Sequence, residues 1–281
     1  EPPQWLRDAI TSTEHDWARY PDATPAREAL ATMQGVGIDM VLPTSGAAEA
    51  FPLIATTQPH HAAVIHPQFT EPEAALRSAG IDVDRVILNA SDGFALDPAL
   101  VPEDADLVIV GNPTNPTGRL HPASDLLTLR RPGRILVVDE AFMDATDESQ
   151  SLIGNDMGNL LVLRSLTKTY GLAGIRAGYV VGDPRLISRL AARQTPWSVS
   201  TPAVAAMVSC TSEEASRFRN QLRDELPAAR ADLVGRLREL GLTIVDSEAP
   251  FVLVDTSSIS GESVRLPLAD RGFAVRRGET F

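Results

Sequence analysis

The chain has 281 residues, 43% of them hydrophobic, which is enough to bury a sizeable core in one large domain or in a large and a small one. Asp and Glu outnumber Lys and Arg by 37 to 25, and the formal charge of -12 argues against binding to nucleic acid or to an acidic membrane surface. A single cysteine, no zinc-like ligand spacing and no apolar run of membrane-spanning length favour a cytoplasmic protein without a metal.

The first two thirds of the chain alternate short β-branched runs with amphipathic segments, the pattern of βα units around a mainly parallel sheet. A helix is predicted to begin at Thr24 and Pro25, a hydroxyl cap followed by a ring that is preset for the first turn. Further helices are predicted over 71–79 and 184–193. Strands are predicted, in chain order, over 40–42, 63–66, 85–89, 107–111, 135–139, 160–164 and 177–181.

The pattern changes near residue 212. The predicted elements there are a long charged helix over 213–240, strands over 243–245 and 251–254, a helix over 262–270 and a strand over 273–276. We therefore expect a large α/β domain over 1–211, with 1–23 as an N-terminal arm or linker, and a smaller α+β domain over 212–281. The smaller domain is expected to be incomplete, because the chain stops at Phe281 directly after a predicted strand.

Lys168 is the one lysine among the 25 Lys and Arg residues of the chain. A guanidinium stays protonated and cannot act as an amine nucleophile, whereas a lysine amine can form an imine with a carbonyl. The run 164–176 around Lys168 is rich in hydroxyls and glycines, contains Arg176 and follows a strand-like stretch, which suits a phosphate. The alternative is an ordinary solvated lysine.

Other candidate residues follow three further predicted strands, at the sheet edge where ligands of parallel sheets gather. The segment 44–49 opens a helix with small residues, which favours a phosphate but is also common in other helices. The prolines and glycine of 112–118 predict a turn that holds Asn115 in one orientation, or else a plain surface turn. Asp139 ends the strand over 135–139, where a buried carboxylate needs a cation, a helix cap or a local ion pair.

With these motifs in order, nearly the whole chain resembles the fold-type I pyridoxal-phosphate enzymes, in the branch of histidinol-phosphate aminotransferase and L-threonine-O-3-phosphate decarboxylase. The motifs are Arg19-Tyr20-Pro21-Asp22, Gly46-Ala47-Ala48-Glu49, Asn115-Pro116-Thr117-Gly118, Asp139-Glu140-Ala141-Phe142, Ser165-Leu166-Thr167-Lys168 and Arg176-Ala177-Gly178-Tyr179. The resemblance implies an α/β fold with a mainly parallel sheet between helices, a smaller C-terminal domain and pyridoxal 5'-phosphate as the cofactor.

The resemblance also assigns roles to individual residues. Lys168 is expected to hold the cofactor aldehyde covalently and to move a proton at the substrate carbon, while Asp139 pairs with the pyridine nitrogen. Asn115 is expected to donate to the ring oxygen and to contact the substrate. The cofactor phosphate is expected to be held by Ala47, Ala48, Ser165, Thr167 and Arg176. Phe69 is expected to lie against the cofactor ring, and Tyr20 to reach the site of the neighbouring subunit in a homodimer.

Two departures from the family pattern concern the substrate. Phe142 stands where the aminotransferases carry a tyrosine that bonds the ring oxygen, whereas the decarboxylases tolerate phenylalanine there. Arg276 matches the earlier of two family arginines that face the substrate, and the later one would lie beyond Phe281.

The resemblance leaves the reaction open between two alternatives. The segments 139–144, 164–168 and 194–199 look closer to the threonine-phosphate enzyme, so decarboxylation of a small phosphorylated amino acid in cobalamin biosynthesis is favoured. The alternative is amino transfer from histidinol phosphate to 2-oxoglutarate. A third hypothesis, a cofactor-binding regulator without turnover, lacks the basic DNA-binding module that such proteins usually carry.

Overall fold

A seven-stranded sheet forms the centre of the computed structural model, which describes residues 1–278. Residues 279–281, and with them the chain end that motivates the expectation of an incomplete domain, lie outside the described residues. The strands are Val41–Ser45 (β1), Ala62–His66 (β2), Val83–Ile87 (β3), Leu107–Gly111 (β4), Ile135–Asp139 (β5), Leu160–Ser165 (β6) and Ala177–Gly182 (β7). Their order across the sheet is β1-β7-β6-β5-β4-β2-β3.

The sheet is mainly parallel, as predicted. Strand β7 runs antiparallel to both of its neighbours, β1 and β6, and all other neighbouring pairs are parallel. Six strands therefore point the same way and bring their carboxyl ends to one edge. The register places Gly111 beside Asp139 and Asp139 beside Leu163 at that edge, so side chains that are distant in sequence meet there.

Helices cover both faces of the sheet. They are Gln4–Thr11 (α1), Thr24–Gln34 (α2), Ala50–Ala55 (α3), Glu71–Ser78 (α4), Ala123–Thr128 (α5), Leu166–Thr169 (α6), Pro184–Ala191 (α7), Thr201–Ser209 (α8), Glu213–Glu239 (α9) and Arg265–Ala269 (α10). Short 3₁₀ helices lie at Ser12–Asp16, Ile38–Met40, Ala47–Glu49, Ala90–Asp92, Pro98–Leu100 and Met143–Ala145. In the part of the chain that is described, no helix is both long and apolar enough to cross a membrane.

Two apolar cores fill the space between the sheet and its helices. Along β4, Val108 and Val110 belong to the core shared with α1, α2 and α8, whereas Leu107 and Ile109 belong to the core shared with α3, α4 and α7. Side chains alternate between the two faces of a strand, so a strand buried on both faces must be apolar throughout. This explains why the central strands could be located from short apolar runs.

Local details differ from the sequence predictions. Helix α2 begins at Thr24 as expected, but no side chain caps it, and instead the Asp22 carboxylate accepts the backbone N–H of Thr24 at 2.9 Å. Strand β3 begins at Val83, two residues before the predicted start. Strand β3 lies at the edge of the sheet and only Val83 and Val86 are buried, which makes its ends hard to place from composition.

The region after α9 holds a separate two-stranded sheet of Thr243–Ile244 (β8) and Val254–Asp255 (β9). Both strands and α10 are shorter than predicted. The predicted strand over 273–276 is wrong, because within residues 1–278 no strand forms there. Phe273 and Val275 are 62% and 44% exposed, so the alternating apolar residues that suggested a strand have no described strand to pair with. The boundary at 211 and 212 stays a prediction.

Candidate active site

A cleft opens at the edge of the sheet where the carboxyl ends of the parallel strands meet. It encloses about 650 Å³ including its open mouth. Most of its lining comes from the first residues after β1, β2, β4, β5 and β6. The lining residues are Ala47, Ala48, Phe51, Gln68, Phe69, Gly111, Pro113, Asn115, Asp139, Ala141, Phe142, Ser165, Thr167, Lys168 and Arg176.

Lys168 projects into this cleft from α6, the short helix that follows β6. Its Nζ lies 5.7 Å from the centroid of the Phe142 ring. Within residues 1–278 no hydrogen bond or ion pair engages this amine. The amine is therefore exposed to the cleft and available to react with a carbonyl group.

Asp139 is the last residue of β5, and its carboxylate accepts the backbone N–H of Ala141 at 3.1 Å. Burial raises the pKa of Asp139 to about 6, against the opposing effects of that N–H and of the Lys168 charge, while Glu140 adds to the increase. A carboxylate in this state is stabilised by a cation placed against it. A protonated pyridine nitrogen is such a cation, so the site fits the polar end of the cofactor ring.

An anion cradle lies at the other side of the cleft, where β1 and β6 end. The hydroxyls of Ser165 and Thr167 are buried and lie 2.7 Å apart. Gly46 has a left-handed φ of 73°, and a Cβ at this position would lie 2.5 Å from Nη2 of Arg176. The guanidinium can lie against the backbone here because residue 46 has no side chain.

Arg176 completes this cradle. Its own φ of 61° is unusual for a residue with a side chain, and its Nη1 donates to the carbonyl of Ala173 at 3.0 Å. No carboxylate of the described residues lies within ion-pair distance of Arg176. Backbone at the start of a 3₁₀ helix, two hydroxyls and an uncompensated cation form a donor set that fits a phosphate dianion.

The turn after β4 orients Asn115. The Asn112 side chain accepts the N–H of His121 at 2.7 Å and donates to the His121 carbonyl at 3.1 Å, which closes the base of the turn. Thr114 Oγ1 donates to the carbonyl of Gly111 at 2.7 Å. Burial lowers the pKa of His121 to about 4, so its ring is neutral at pH 7. The turn is thus held by neutral hydrogen bonds, and Asn115 is left half-buried at the cleft.

Aromatic side chains form two walls of the cleft. Phe69 packs against Phe51, with ring centroids 6.3 Å apart. Phe142 packs edge-on against Phe251, with centroids 4.9 Å apart and planes at 78°. The sequence motifs did not identify Phe51, because it lies in an apolar helix and has no polar neighbour that would mark it.

Gln68 was also missed, although its amide is buried beside Phe69 and donates to the carbonyl of Ile109 at 3.4 Å. Gly111, Pro113 and Ala141 complete the missed residues of the lining. Gln68 and Ala141 lie next to predicted site residues, Pro113 lies inside the predicted turn over 112–118, and Gly111 directly precedes that turn. Including the neighbours of each motif residue would therefore have found them.

Two predicted site residues lie elsewhere. Tyr20 is 76% exposed and stacks on Trp197, with centroids 4.2 Å apart and planes at 24°. Arg276 lines a second, open pocket with Thr70, Arg265, Val275 and Arg277. The other ten predicted residues all line the main cleft.

A lysine, a carboxylate and an anion cradle at successive strand ends of this sheet define the fold and site of a pyridoxal-phosphate-dependent enzyme. The family model of Aminotransferase class I and II matches residues 1–281. The chain belongs to this family, whose enzymes depend on pyridoxal 5'-phosphate. The sequence resemblance, the cofactor and the assignment as an enzyme of this fold are thereby confirmed.

Individual relatives carry two different names. A histidinol-phosphate aminotransferase of Mycobacterium tuberculosis is 46% identical over 284 residues, which cover 100% of this chain and 77% of the relative. A threonine-phosphate decarboxylase of Pseudomonas aeruginosa is 34% identical over 275 residues, covering 95% of this chain and 78% of the relative. The solved histidinol-phosphate aminotransferase of Clostridium acetobutylicum superposes with a TM-score of 0.88 at 24% identity, covering 98% of this chain and 86% of its own, which shows the common fold.

Proposed function

We propose that the chain releases carbon dioxide from a small phosphorylated amino acid, L-threonine O-3-phosphate, in cobalamin biosynthesis. The observation that carries this proposal is the phenyl ring of Phe142, which packs on Phe251 and faces Lys168 without a hydroxyl. A substrate carboxylate placed against an apolar wall is poorly solvated, and its charge is dispersed as the carbon–carbon bond breaks. Such a wall favours decarboxylation over a reaction that retains the carboxylate.

The residues of the cleft would hold the cofactor and the reacting atoms. When bound, pyridoxal phosphate supplies a pyridinium ring that accepts the electron pair released from the substrate α-carbon. Lys168 would hold the cofactor through its amine and would move a proton at the substrate carbon. Asp139 keeps the ring nitrogen protonated, because its carboxylate is desolvated and is stabilised by that charge.

The other cleft residues orient and bind. Asn115 would donate its amide N–H to the ring oxygen and contact the substrate, and Phe69 would pack against the cofactor ring. The groups of the anion cradle described above would donate hydrogen bonds to the cofactor phosphate. These groups are Ala47 N–H, Ala48 N–H, Ser165 Oγ, Thr167 Oγ1 and the Arg176 guanidinium.

Binding of the substrate phosphate is assigned to the second pocket. Arg265, Arg276 and Arg277 line this pocket together with Thr70, the residue that follows Phe69. Several arginines around one pocket suit a phosphate, which accepts bidentate hydrogen bonds from each guanidinium. In an otherwise acidic chain this concentration of cations supports a phosphorylated substrate.

A homodimer is proposed from the surface around Tyr20. The stacked rings of Tyr20 and Trp197 are 76% and 59% exposed, although aromatic side chains of this size are usually covered. A second copy of the chain would cover them and bring Tyr20 towards the neighbouring cleft. Trp197→Ala should shift the sedimentation of the chain towards monomer, whereas Leu240→Ala, at a leucine that is 72% exposed at the end of α9, should not. A monomeric wild type would contradict the proposal.

A second candidate is a histidinol-phosphate aminotransferase. It is supported by the relative of that name, which is 46% identical across the whole chain. Both reactions use the same lysine, carboxylate and phosphate cradle, so the geometry of these groups does not distinguish them.

Substrate assays separate the candidates. A version extended to the full length of the relatives and loaded with pyridoxal phosphate is incubated with L-threonine O-3-phosphate alone, and separately with histidinol phosphate and 2-oxoglutarate. Carbon dioxide release without 2-oxoglutarate is the expected result, and Lys168→Arg, which keeps the charge but not the nucleophile, should abolish it. Glutamate formation from histidinol phosphate would overturn the proposal in favour of the aminotransferase. Absence of any turnover in both assays would favour the regulator.

A further inference from the structure

The Phe142 wall of the cleft is backed by a part of the chain that is far away in sequence. Phe142 follows β5, whereas Phe251 belongs to the segment between β8 and β9. The edge of one ring meets the face of the other, with centroids 4.9 Å apart. Aromatic pairs in this arrangement contribute about 0.5–1.5 kcal/mol beyond the area they bury.

Phe251 is anchored independently of Phe142. Ser247 Oγ donates to the Phe251 carbonyl at 2.6 Å, and the N–H of Glu248 donates to the carbonyl of Gly118 at 2.8 Å. Arg230 of α9 donates to the carbonyl of Ala249 at 3.1 Å. The segment is therefore tied both to α9 and to the turn that carries Asn115, so Phe251 provides a fixed surface for the Phe142 ring.

Phe142 in turn contacts the Lys168 amine. Nζ lies 5.7 Å from the ring centroid, within the range of a cation–π interaction. Four rotatable bonds separate Nζ from the backbone, and no hydrogen bond or ion pair to a described residue restricts them. Besides the longer-range attraction of the Asp139 carboxylate, the ring face is the described contact that restrains the amine inside the cleft.

We propose that Phe251 is a positioning residue, which holds the Phe142 ring in the orientation that keeps the Lys168 amine over the cleft. The proposal rests on the proposed role of Lys168 as the amine that bonds to the cofactor aldehyde. It is independent of the substrate and of the choice between decarboxylation and amino transfer. Its consequence is that a segment distant from the cofactor site controls how fast the cofactor is captured covalently.

The chain offers a clean probe of this arrangement, because Lys168 is its one lysine. Reductive methylation with ¹³C-formaldehyde labels Nζ of Lys168 and the N-terminal amine and nothing else. In the cofactor-free chain, the Lys168 methyl signals should lie upfield of those of free dimethyl-lysine, because the ring current of Phe142 acts on them. Phe251→Ala should move them downfield, towards the free position, and Phe142→Leu should remove the ring-current shift.

Controls separate positioning from general loss of structure. Phe251→Tyr keeps the ring edge and should retain the wild-type methyl shift, and Phe251→Leu is a milder variant if the alanine variant unfolds. Phe273→Ala removes the same side chain from an exposed position in the same part of the chain and should change nothing. Equal methyl shifts in wild type, Phe251→Ala and Phe251→Leu would overturn the proposal.

A second measurement follows cofactor capture. The cofactor-free chain is mixed with pyridoxal phosphate, and the covalent product is trapped with borohydride at successive times. Phe251→Ala should slow capture by about 2- to 10-fold, the fold-change that corresponds to the contribution of one aromatic pair. Its affinity for pyridoxine 5'-phosphate, which lacks the aldehyde, should stay at the wild-type value, since the phosphate cradle is intact.

An unchanged capture rate, or a parallel loss of affinity for pyridoxine 5'-phosphate, would contradict a positioning role. Failure to release carbon dioxide from threonine phosphate would overturn the proposed function alone, because neither measurement involves a substrate.

Discussion

Arg164 and Glu140 form an ion pair at 3.0 Å in which both side chains are buried, at 2% and 0% exposure. Arg164 directly precedes Ser165 and Glu140 directly follows Asp139, and both Ser165 and Asp139 line the cleft. The same guanidinium contacts Asp144 at 2.9 Å and reaches Glu148 as well. Burial lowers the pKa of Arg164, but the carboxylates, Glu140 foremost, outweigh this effect and raise it.

Replacement of Arg164 by Met is expected to destabilise the cofactor-free chain by about 3–5 kcal/mol, because Glu140 would remain buried without its cation. Urea-induced unfolding measures the change in free energy. Arg130→Met is the matched control, since Arg130 pairs with an Asp156 that is 80% exposed, and such surface pairs contribute about 1 kcal/mol or less. If both variants lost the same free energy of unfolding, the buried ion pairs of Arg164 would stabilise the fold no more than an exposed pair does.

The raised pKa of Asp139 makes the stability of the cofactor-free chain depend on pH. The pKa of an aspartate carboxyl is ordinarily 3.8, and that of Asp139 rises to about 6 in the fold, so the folded state holds the proton more tightly. The stabilisation from this proton is fully present below pH 4 and is lost as the pH rises through 6. Relative to Asp139→Asn, wild type should lose on the order of 2 kcal/mol between pH 4 and pH 7.

Unfolding of both proteins at each pH checks this expectation. Asp156→Asn is the control, because the pKa of the exposed Asp156 is lowered, so this carboxylate is ionised between pH 5 and pH 7. Its difference from wild type should therefore be flat between pH 5 and pH 7. If the difference in unfolding free energy between Asp139→Asn and wild type did not change with pH, the Asp139 carboxylate would be solvated in the folded state.

Much of the fold follows from the sequence because β4, β5 and β6 are buried on both faces and must be apolar along their length. Ten candidate site residues could be grouped because the ends of parallel strands share one edge. Arg164 was interpreted as part of the phosphate-binding run. The strand alternation turns it away from Ser165 and towards Glu140 instead.

The walls of the site were harder to predict. Phe251 packs behind Phe142 from the far end of the chain, and an apolar residue in a short strand-like run gives no sign of such a contact. The strand predicted over 273–276 rested on alternating apolar residues alone, and such a pattern forms a strand only where a neighbouring strand is present to pair with it. Tyr20 lies on the surface of the single chain, so the sequence-based prediction that it reaches the neighbouring site remains untested.

Gly46→Ala is expected to weaken cofactor binding. The new Cβ would lie 2.5 Å from Nη2 of Arg176 and would also occupy a left-handed backbone conformation, which costs about 1–2 kcal/mol for a residue with a side chain. The guanidinium must move away from the phosphate cradle. The affinity for pyridoxine 5'-phosphate, measured by calorimetry, should fall by about tenfold or more.

Gly174→Ala is the matched control for this prediction. Gly174 lies in the loop that precedes Arg176, and a Cβ at that position would meet no atom within 4 Å. It should bind pyridoxine 5'-phosphate as wild type does. If Gly46→Ala also binds normally, Arg176 is not a ligand of the cofactor phosphate.

Phe142→Tyr tests whether the apolar wall favours decarboxylation. The family tyrosine at this position bonds the ring oxygen of the cofactor. The proposal requires that a hydroxyl here also donates to a carboxylate placed against the wall, which would stabilise the state from which carbon dioxide must leave. Release of carbon dioxide from L-threonine O-3-phosphate should slow by about tenfold, which corresponds to one neutral hydrogen bond of about 1.4 kcal/mol. The aromatic ring is retained, so the methyl shift of Lys168 and the rate of cofactor capture should stay at wild-type values. Phe142→Leu should show the opposite pattern. Carbon dioxide release should be retained because the wall stays apolar, whereas the methyl shift and the rate of cofactor capture should change because the ring that holds the amine is removed. Wild-type decarboxylation in Phe142→Tyr would show that the missing hydroxyl has no part in the choice of reaction.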